Sequence, residues 1–168
     1  MTQKSLQLAA GSDGTAAAAN TIGLKISTVP TAGAIITYAG NGVTSRAVAG
    51  TLTLTAGVWV VNAMLAAYPG GAPASSAFGS WLDLYNSTDA AILTETPRQR
   101  YCANFPGAIL SDWSESFELY THILLTGTKT IQVRICGTND YGLSTGANFT
   151  VRTGGANVYE SIYAIRIA

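Results

Sequence analysis

The sequence is a succession of short β-like segments that end at turns. Val, Ile, Thr and aromatic residues fill the segments, and glycine, proline or asparagine follows most of them, which is typical of strands in an all-β protein. Apolar spacing of the helical kind is nearly absent after the first twenty residues. We therefore predict eight to ten strands, which fall within residues 22–29, 34–38, 51–55, 58–68, 78–86, 90–94, 117–126, 130–137, 147–153 and 158–167.

This number of strands predicts an all-β fold, an antiparallel two-sheet jelly-roll sandwich. The chain of 168 residues is long enough for one such domain, which we place at residues 22–168. Residues 1–21 are small, polar and aperiodic, so we expect a short flexible arm there. A short helix in the alanine run of this arm is the alternative, because alanine is the best helix former.

The turn residues also predict how some strands are joined. A Pro-Gly-Gly-Ala-Pro stretch predicts a loop at residues 69–73, and residues 96–116 are expected to be irregular. The Ser-Thr-Asp sequence at 87–89 predicts a hairpin turn. A short glycine-containing loop at 127–129 predicts a second hairpin, between the strands on either side of it.

Two of the predicted strands carry apolar side chains on both faces. Side chains alternate between the faces of a strand, and in a lone sandwich the outer face is polar and wet. In the strand at 117–126, one face carries Leu119, Thr121, Ile123 and Leu125, and the opposite face carries Tyr120, His122, Leu124 and Thr126. In the strand at 158–167, one face carries Tyr159, Ser161, Tyr163, Ile165 and Ile167, and the opposite face carries Val158, Glu160, Ile162, Ala164 and Arg166. We infer that the outer faces are covered. A loop could provide the cover, but two such strands favour copies of the same chain, and we expect a homotrimer with a shared axis.

The charge composition excludes some classes of partner. Charged residues make up 11% of the chain, and nine basic residues balance nine acidic ones. A neutral chain offers no electrostatic attraction to nucleic acid or to an anionic membrane, so neither partner is expected. The first ten residues lack the apolar core of a signal peptide, and no apolar run reaches the length of a membrane span. We therefore expect synthesis and assembly in the cytoplasm, or release from it by lysis.

Three segments resemble known jelly-roll proteins. Residues 117–136, FELYTHILLTGTKTIQVRIC, resemble the penultimate pair of long strands in the tumour-necrosis-factor and complement globular-head superfamily. Residues 158–168, VYESIYAIRIA, resemble the final strand of that superfamily. Residues 52–65, LTLTAGVWVVNAML, look like a segment of small jelly-roll domains in tailed-bacteriophage structural proteins. The resemblance implies a trimer with aromatic residues at its axis, and it assigns these residues to the trimer contact: Tyr120, Tyr159, Ser161 and Tyr163.

The residue types that carry chemistry are scarce. His122 is the only histidine, and no Gly-x-Ser-x-Gly motif accompanies it, so we interpret it as a packed or interface histidine and add it to the trimer-interface candidates. Zinc would have to use His122, Cys102 and Cys136, which lack the close spacing of a zinc site. The two cysteines are expected to be reduced thiols, with a disulfide as the alternative. No cofactor, metal ion or catalytic residue is predicted.

The resemblance to these jelly-roll proteins, together with the scarcity of catalytic residues, implies a non-enzymatic bacteriophage virion protein, either a trimeric head decoration (cement) subunit or a tail or vertex knob. Residues 1–21 are expected to bind other virion proteins, and the globular part is expected at the virion surface. The alternative is a host-glycan-binding module that uses loops at 69–77, 96–116 and 138–146, with Tyr141 as the candidate ligand-contact aromatic residue. A glycan hydrolase is a further, less favoured alternative.

Overall fold

The computed structural model describes residues 21–31, 35–38, 44–70, 75–97, 99–104, 115–138, 149–153 and 160–168. Within these ranges the chain forms eleven β-strands and no helix. The strands are β1 (Lys25–Thr28), β2 (Ile35–Tyr38), β3 (Thr44–Leu54), β4 (Gly57–Gly70), β5 (Ser75–Asn86), β6 (Ala91–Glu95), β7 (Gln99–Asn104), β8 (Glu115–Leu125), β9 (Lys129–Thr138), β10 (Phe149–Thr153) and β11 (Ser161–Arg166).

The strands form two antiparallel sheets that pack face to face. Five strands of the six-stranded sheet follow the order β1-β11-β4-β10-β2. The sixth strand, β8, pairs with the edge of β4 opposite β11. The five-stranded sheet has the order β3-β9-β5-β6, and β7 also pairs with β5. This arrangement confirms the prediction of an all-β, two-sheet jelly-roll sandwich.

The core lies between the two sheets and is built from alternate residues of their strands. The six-stranded sheet contributes Trp59, Val61, Ala63, Leu65, Phe117, Leu119, Ile123, Leu125, Ile162 and Ala164. The five-stranded sheet contributes Leu52, Leu54, Leu82, Leu84, Ile131, Val133 and Ile135. Burial of this apolar surface, at about 25 cal/mol per Å² removed from water, is the main favourable term for the fold.

The structure corrects one predicted connection. The strands on either side of residues 127–129 do not form a hairpin, because β8 pairs with β4 in one sheet and β9 pairs with β3 and β5 in the other. The short loop therefore crosses from one sheet to the other. The turn between β5 and β6 does join paired strands, as predicted.

Three predicted strand or loop boundaries also differ from the structure. The segment at 96–116 is not irregular throughout, since β7 lies within it and pairs with β5. The loop expected at 69–73 begins later, because Pro69 and Gly70 still belong to β4 and lie opposite β10. The strand predicted at 51–55 begins at Thr44, because this whole length of β3 pairs with β9 around a bulge near Val48.

Both described ends of the domain lie at the same end of the sandwich. The Gly23 N–H donates to the Arg166 carbonyl oxygen at 2.8 Å, and the Val58 N–H donates to the Ala168 carbonyl oxygen at 2.8 Å. We call this the terminal end. Residues 1–20 lie outside the described residues, so the predicted arm is not tested, but the chain enters the domain at this end.

Three connecting segments attach at the opposite end of the sandwich, which we call the distal end. β4 starts at the terminal end and has 14 residues, which corresponds to a length of about 45 Å. β4, β7 and β9 end at the distal end, and β5, β8 and β10 begin there. The connecting segments 71–74, 105–114 and 139–148 lie outside the described residues.

Candidate interaction surface

The six-stranded sheet has one face that points away from the core and is open to solvent. It consists of alternate residues of four neighbouring strands, β1, β11, β4 and β8. We call it the open face, and its members are Lys25, Ser27, Ser161, Tyr163, Ile165, Val58, Val60, Asn62, Met64, Glu118, Tyr120, His122 and Leu124.

Large apolar side chains on this face are exposed. Tyr120 is 64% exposed and Leu124 is 72% exposed, whereas Leu119 and Leu125, which point to the core from the same strand, are 2% and 5% exposed. The structure thus confirms the alternation predicted for this strand. Contiguous exposed apolar surface of this kind marks an interaction site in soluble proteins.

The strand register arranges the open face in rows that run across the sheet. Side chains directly opposite each other on neighbouring strands have Cβ atoms about 4.5–5.5 Å apart. One row is Tyr120, Asn62, Tyr163 and Ser27. The next row is His122, Val60, Ile165 and Lys25.

Two ring contacts order the side chains of the open face. The rings of Tyr120 and His122 meet edge to face, with centroids 5.8 Å apart and planes at 85°. The ammonium group of Lys25 lies 4.4 Å from the centroid of the Tyr163 ring. Because these contacts hold the aromatic rings in place, a partner would meet a partly ordered surface.

The structure brings four of the predicted interface residues onto the open face. Tyr120 and His122 are exposed on β8, and Ser161 and Tyr163 are half-buried on β11. Tyr120 and Tyr163 lie in the same row, with Asn62 between them. The other two predicted site residues, Tyr159 and Tyr141, lie outside the described residues.

The sequence predicted the strand at 58–68 but not its place at the centre of the open face. β4 contributes Val58, Val60, Asn62 and Met64, all half-buried, between β8 and β11. The alternation that was recognised in the other two strands also runs through residues 58–65. It was not used there, because a run that is apolar at nearly every position fits a strand buried on both sides.

A pocket of about 270 Å³ opens at the edge of the open face, between β1 and β11. It is lined by Lys25, Ser27, Thr28, Val29, Pro30, Glu160, Ser161, Ile162 and Tyr163. Four of these residues also belong to the open face. A partner that covers the open face would therefore cover the pocket as well.

The outward side of the five-stranded sheet differs, because charged side chains pair with each other there. The carboxylate of Asp83 is fully buried and accepts hydrogen bonds from Arg134 Nε and Nη2, both at 2.7 Å, and from Arg46 Nε at 3.0 Å. The buried Trp81 indole donates to Glu95 at 3.3 Å. Because these groups already pair within the chain, this side is the weaker candidate for an apolar partner.

The buried cluster also shifts the pKa of two of its groups. Burial lowers the pKa of Arg134, but the hydrogen bonds and the negative charge of Asp83 outweigh it, so the net pKa is raised. Burial raises the pKa of the Cys136 thiol, and the Asp83 carboxylate raises it further, to well above the ordinary range. Cys136 is therefore an unreactive thiol at neutral pH.

The cysteine geometry decides between the two readings of the sequence. Cys102 lies opposite Ala77 on one edge of β5, and Cys136 lies opposite Trp81 on the other edge. This register separates the two Cα atoms by roughly 17 Å, far beyond the reach of a disulfide. Cys136 is a free buried thiol, as expected.

The described residues offer no cluster of metal ligands. No group of three His, Cys, Asp or Glu side chains in this part of the chain is arranged to hold a metal ion. His122 and Cys136 lie on different sheets, each pointing away from the core, so they cannot share a zinc ion. Among the same residues, no helix has the length and apolar character needed to cross a membrane.

Comparisons with known proteins support the fold. No family model and no curated protein matches the sequence. Among solved structures, a chain from infectious bursal disease virus, Gt strain, aligns with a TM-score of 0.50 at 11% identity, over 90% of this chain. This chain spans 40% of the length of that viral chain.

Two further structures align less closely. The infectious bursal disease virus VP2 subviral particle has a TM-score of 0.43 at 10% identity, over 86% of this chain and 37% of that one. The Eiger TNF protein from S. frugiperda has a TM-score of 0.42 at 10% identity, over 82% of this chain and 94% of that one. At such low identity, similarity between structures reports the fold alone.

Proposed function

We propose that this chain is a non-enzymatic bacteriophage virion protein that acts as a homotrimer, either as a head decoration subunit or as a tail or vertex knob. The observation that carries the proposal is the open face. Tyr120 and Leu124 are mostly exposed on this face, so removing it from water lowers the free energy. We propose that two further copies of the chain cover it.

The size of the open face suits this role. Four strands about 4.8 Å apart and about seven residues long give roughly 450 Å² in projection. This lies in the range of the largest patch found on a typical monomer, which is often a functional one.

The few charges on the open face favour a second copy as the partner. Its two charged side chains lie on opposite edges, Glu118 on β8 and Lys25 on β1. In a ring of identical subunits the contact joins unlike edges of neighbouring copies. Lys25 of one copy then approaches Glu118 of the next, and no like charges are brought together.

The two ends of the sandwich suit a subunit anchored on one side. The described chain begins at the terminal end, and segments 71–74, 105–114 and 139–148 attach at the distal end, about 45 Å away. We assign the arm, residues 1–21, to binding of other virion proteins. Three arms on one trimer make that attachment multivalent. The similarity of the fold to a viral chain agrees with a location on the virion.

Deletion of residues 1–20 tests the anchor. We expect the shortened protein to remain folded and trimeric, and to lose its binding to particles that lack the protein. The full-length chain is the control, and electron microscopy of mixed particles gives the readout. Decoration by the shortened protein would show that the arm is not the anchor.

A host-glycan-binding role is the second candidate, favoured by the position of the distal connections. Segments 71–74, 105–114 and 139–148 attach to the end that would point away from the particle. Glycan-array binding by the purified protein would support this role. A passive decoration subunit is expected to bind no glycan and to leave phage adsorption unchanged when added in excess. Release of sugar from host polysaccharide by the pure protein would instead revive the hydrolase alternative.

A further inference from the structure

The pocket at the edge of the open face forms where β1 separates from β11. The ladder between these two strands ends at the pair Thr28 and Ile162. Pro30 has no N–H with which to extend it, and the N–H of Thr31 donates to the Ala49 carbonyl oxygen of β3 at 2.6 Å. The chain therefore crosses to the other sheet, and a pocket of about 270 Å³ remains beside the start of β11.

The wall of this pocket combines hydroxyl groups with apolar side chains. Ser27 lies directly opposite Tyr163, and Ser161 is the next residue of β11 on the same face. Opposite residues have Cβ atoms about 5 Å apart, so the three hydroxyl-bearing side chains lie close together. Val29 and Ile162 supply apolar surface to the same pocket.

One charged group of each sign also lines the pocket, and the two lie far apart. Glu160 is 8% exposed and lies on the same side of the strand as Ile162, which faces the core. The ammonium group of Lys25 lies on the open face, 4.4 Å from the centroid of the Tyr163 ring. Tyr163 is three residues from Glu160, or about 10 Å along the strand. An α-amino acid carries both of its charges on substituents of one carbon atom, so it is too small to meet both groups.

We propose that this pocket binds one uncharged sugar ring. A sugar ring has hydroxyl groups around its rim and C–H groups on its faces, and it therefore matches a wall of hydroxyl groups and apolar side chains. Its hydroxyl groups donate to the Glu160 carboxylate and accept from the Lys25 ammonium group. The volume suits a single ring, since sites for drug-sized ligands have about 300–1,000 Å³.

This site goes beyond the assembly role proposed above and does not rest on it, because every lining residue belongs to one chain. It also lies apart from the distal connections considered as glycan-binding loops. Four of its residues belong to the open face, so a sugar and a second copy of the chain compete for that part of the surface.

Amide chemical shifts of the isotope-labelled full-length protein test the site during titration with methyl glycosides of glucose, galactose and mannose. We expect at least one glycoside to shift the amides of Ser27, Val29 and Ser161, with a Kd of about 1 mM. Alanine, as a zwitterionic probe, is expected to shift none of them. The Tyr120→Asp variant is titrated in parallel, because Tyr120 lies two strands from Tyr163 and its replacement removes any cover of the open face. It is expected to bind at least as tightly as the wild type.

The variant Ser27→Val with Ser161→Val removes two hydroxyl groups from the wall and adds methyl groups to it. We expect it to bind the glycoside at least tenfold more weakly, because hydrogen bonds are lost and space is filled. Thr51→Val with Thr53→Val is the matched control, at exposed positions on the other sheet, and is expected to bind as the wild type does. Glu160→Gln is a second test, which keeps the shape of the side chain and removes its charge, and it is also expected to weaken binding.

The outcomes separate the sugar site from the trimer. Absence of shifts with all three glycosides, in both the wild type and Tyr120→Asp, would overturn the site and leave the trimer intact. Unchanged binding by both pocket variants, with circular dichroism showing that they are folded, would place the sugar elsewhere and also overturn the site. Alanine shifting the same amides as strongly as the glycosides would overturn the assignment to a sugar. A monomeric wild-type protein that binds the glycoside in this pocket would support the site and contradict the trimer.

Discussion

Gly57 is the residue at which the chain enters the six-stranded sheet, immediately after the turn that leaves β3. Its φ angle is 141°, a conformation that residues with a side chain rarely adopt. A Cβ atom at this position would lie 2.5 Å from the carbonyl oxygen of Ala168 and 2.6 Å from Nε of Arg166. Both backbone conformation and space therefore require glycine here.

Replacement of Gly57 by alanine is expected to lower the free energy of unfolding by about 2 kcal/mol or more, from backbone strain and from the displaced carbonyl. Urea denaturation at pH 8 provides the measurement. Gly127→Ala is the control, because a Cβ at Gly127 meets no atom within 4 Å, and its effect is expected to be much smaller. Equal effects of the two substitutions would show that the close approach at Gly57 does not matter.

Single residues were predictable from sequence where burial alone decided their place. Trp59 and Trp81 are large apolar residues inside predicted strands, and both are fully buried. The sequence could not separate their surroundings. Trp59 packs in the core between the sheets, whereas Trp81 lies outside that cluster and donates to a carboxylate. That difference depends on which face of β5 meets the other sheet: Leu82 and Leu84 point to the core, whereas Trp81 shares the outward face with Asp83.

At the scale of the strand, β8 allows the two faces to be compared at adjacent positions. Leu125 is 5% exposed and belongs to the core, and Leu124 is 72% exposed on the open face. Leu125→Ala is expected to cost about 2–5 kcal/mol in the free energy of unfolding. Leu124→Ala is expected to leave the fold unchanged and to weaken trimer association by roughly tenfold, because its methyl groups are buried only between copies.

Denaturation of the two variants at low protein concentration, together with sedimentation at several concentrations, measures both quantities. Each variant is the control for the other, since the same side chain is shortened in the same strand. A Leu124→Ala variant with unchanged association and a less stable fold would show that this side chain is buried within the protomer.

The alternation within strands could be predicted from sequence, but the pairing between strands could not. The faces of β8 and β11 follow from a period of two, which is a local property. Whether the loop at 127–129 closes a hairpin or crosses between sheets depends on distant partners, because a three-residue loop fits either. β7 was missed because its residues, QRYCAN, carry a weak strand pattern, and its pairing with β5 supplies the missing order.

For the open face, too, the alternation within each strand could be predicted from sequence, but the order of the strands could not. The resemblance to jelly-roll proteins pointed to Tyr120, Ser161 and Tyr163, and the two apolar faces of their strands agreed with it. That β4 lies between those two strands could not be predicted, since this neighbourhood joins residues far apart in the sequence. The assembled face is therefore wider and more apolar than either strand indicated.

At the scale of the whole molecule, assembly depends on what covers the open face. One outward side of the sandwich is closed by the ion pairs around Asp83, and the other presents Tyr120, Leu124 and their neighbours to solvent. The chain enters the domain at one end, and segments 71–74, 105–114 and 139–148 attach at the other. A trimer packed through the open face would hide the apolar side, point three arms toward the particle and leave the distal ends free.

Sedimentation equilibrium of the purified full-length chain at about pH 8 tests this claim most directly. One chain has a mass of 17.4 kDa, and the account predicts three times that mass. It also predicts that Tyr120→Asp reduces the mass to that of one chain, because a carboxylate would be buried without a partner. Thr53→Asp, an exposed position on the other sheet, is expected to leave the trimer intact. A folded wild-type protein that remains at 17.4 kDa at high concentration would contradict the account.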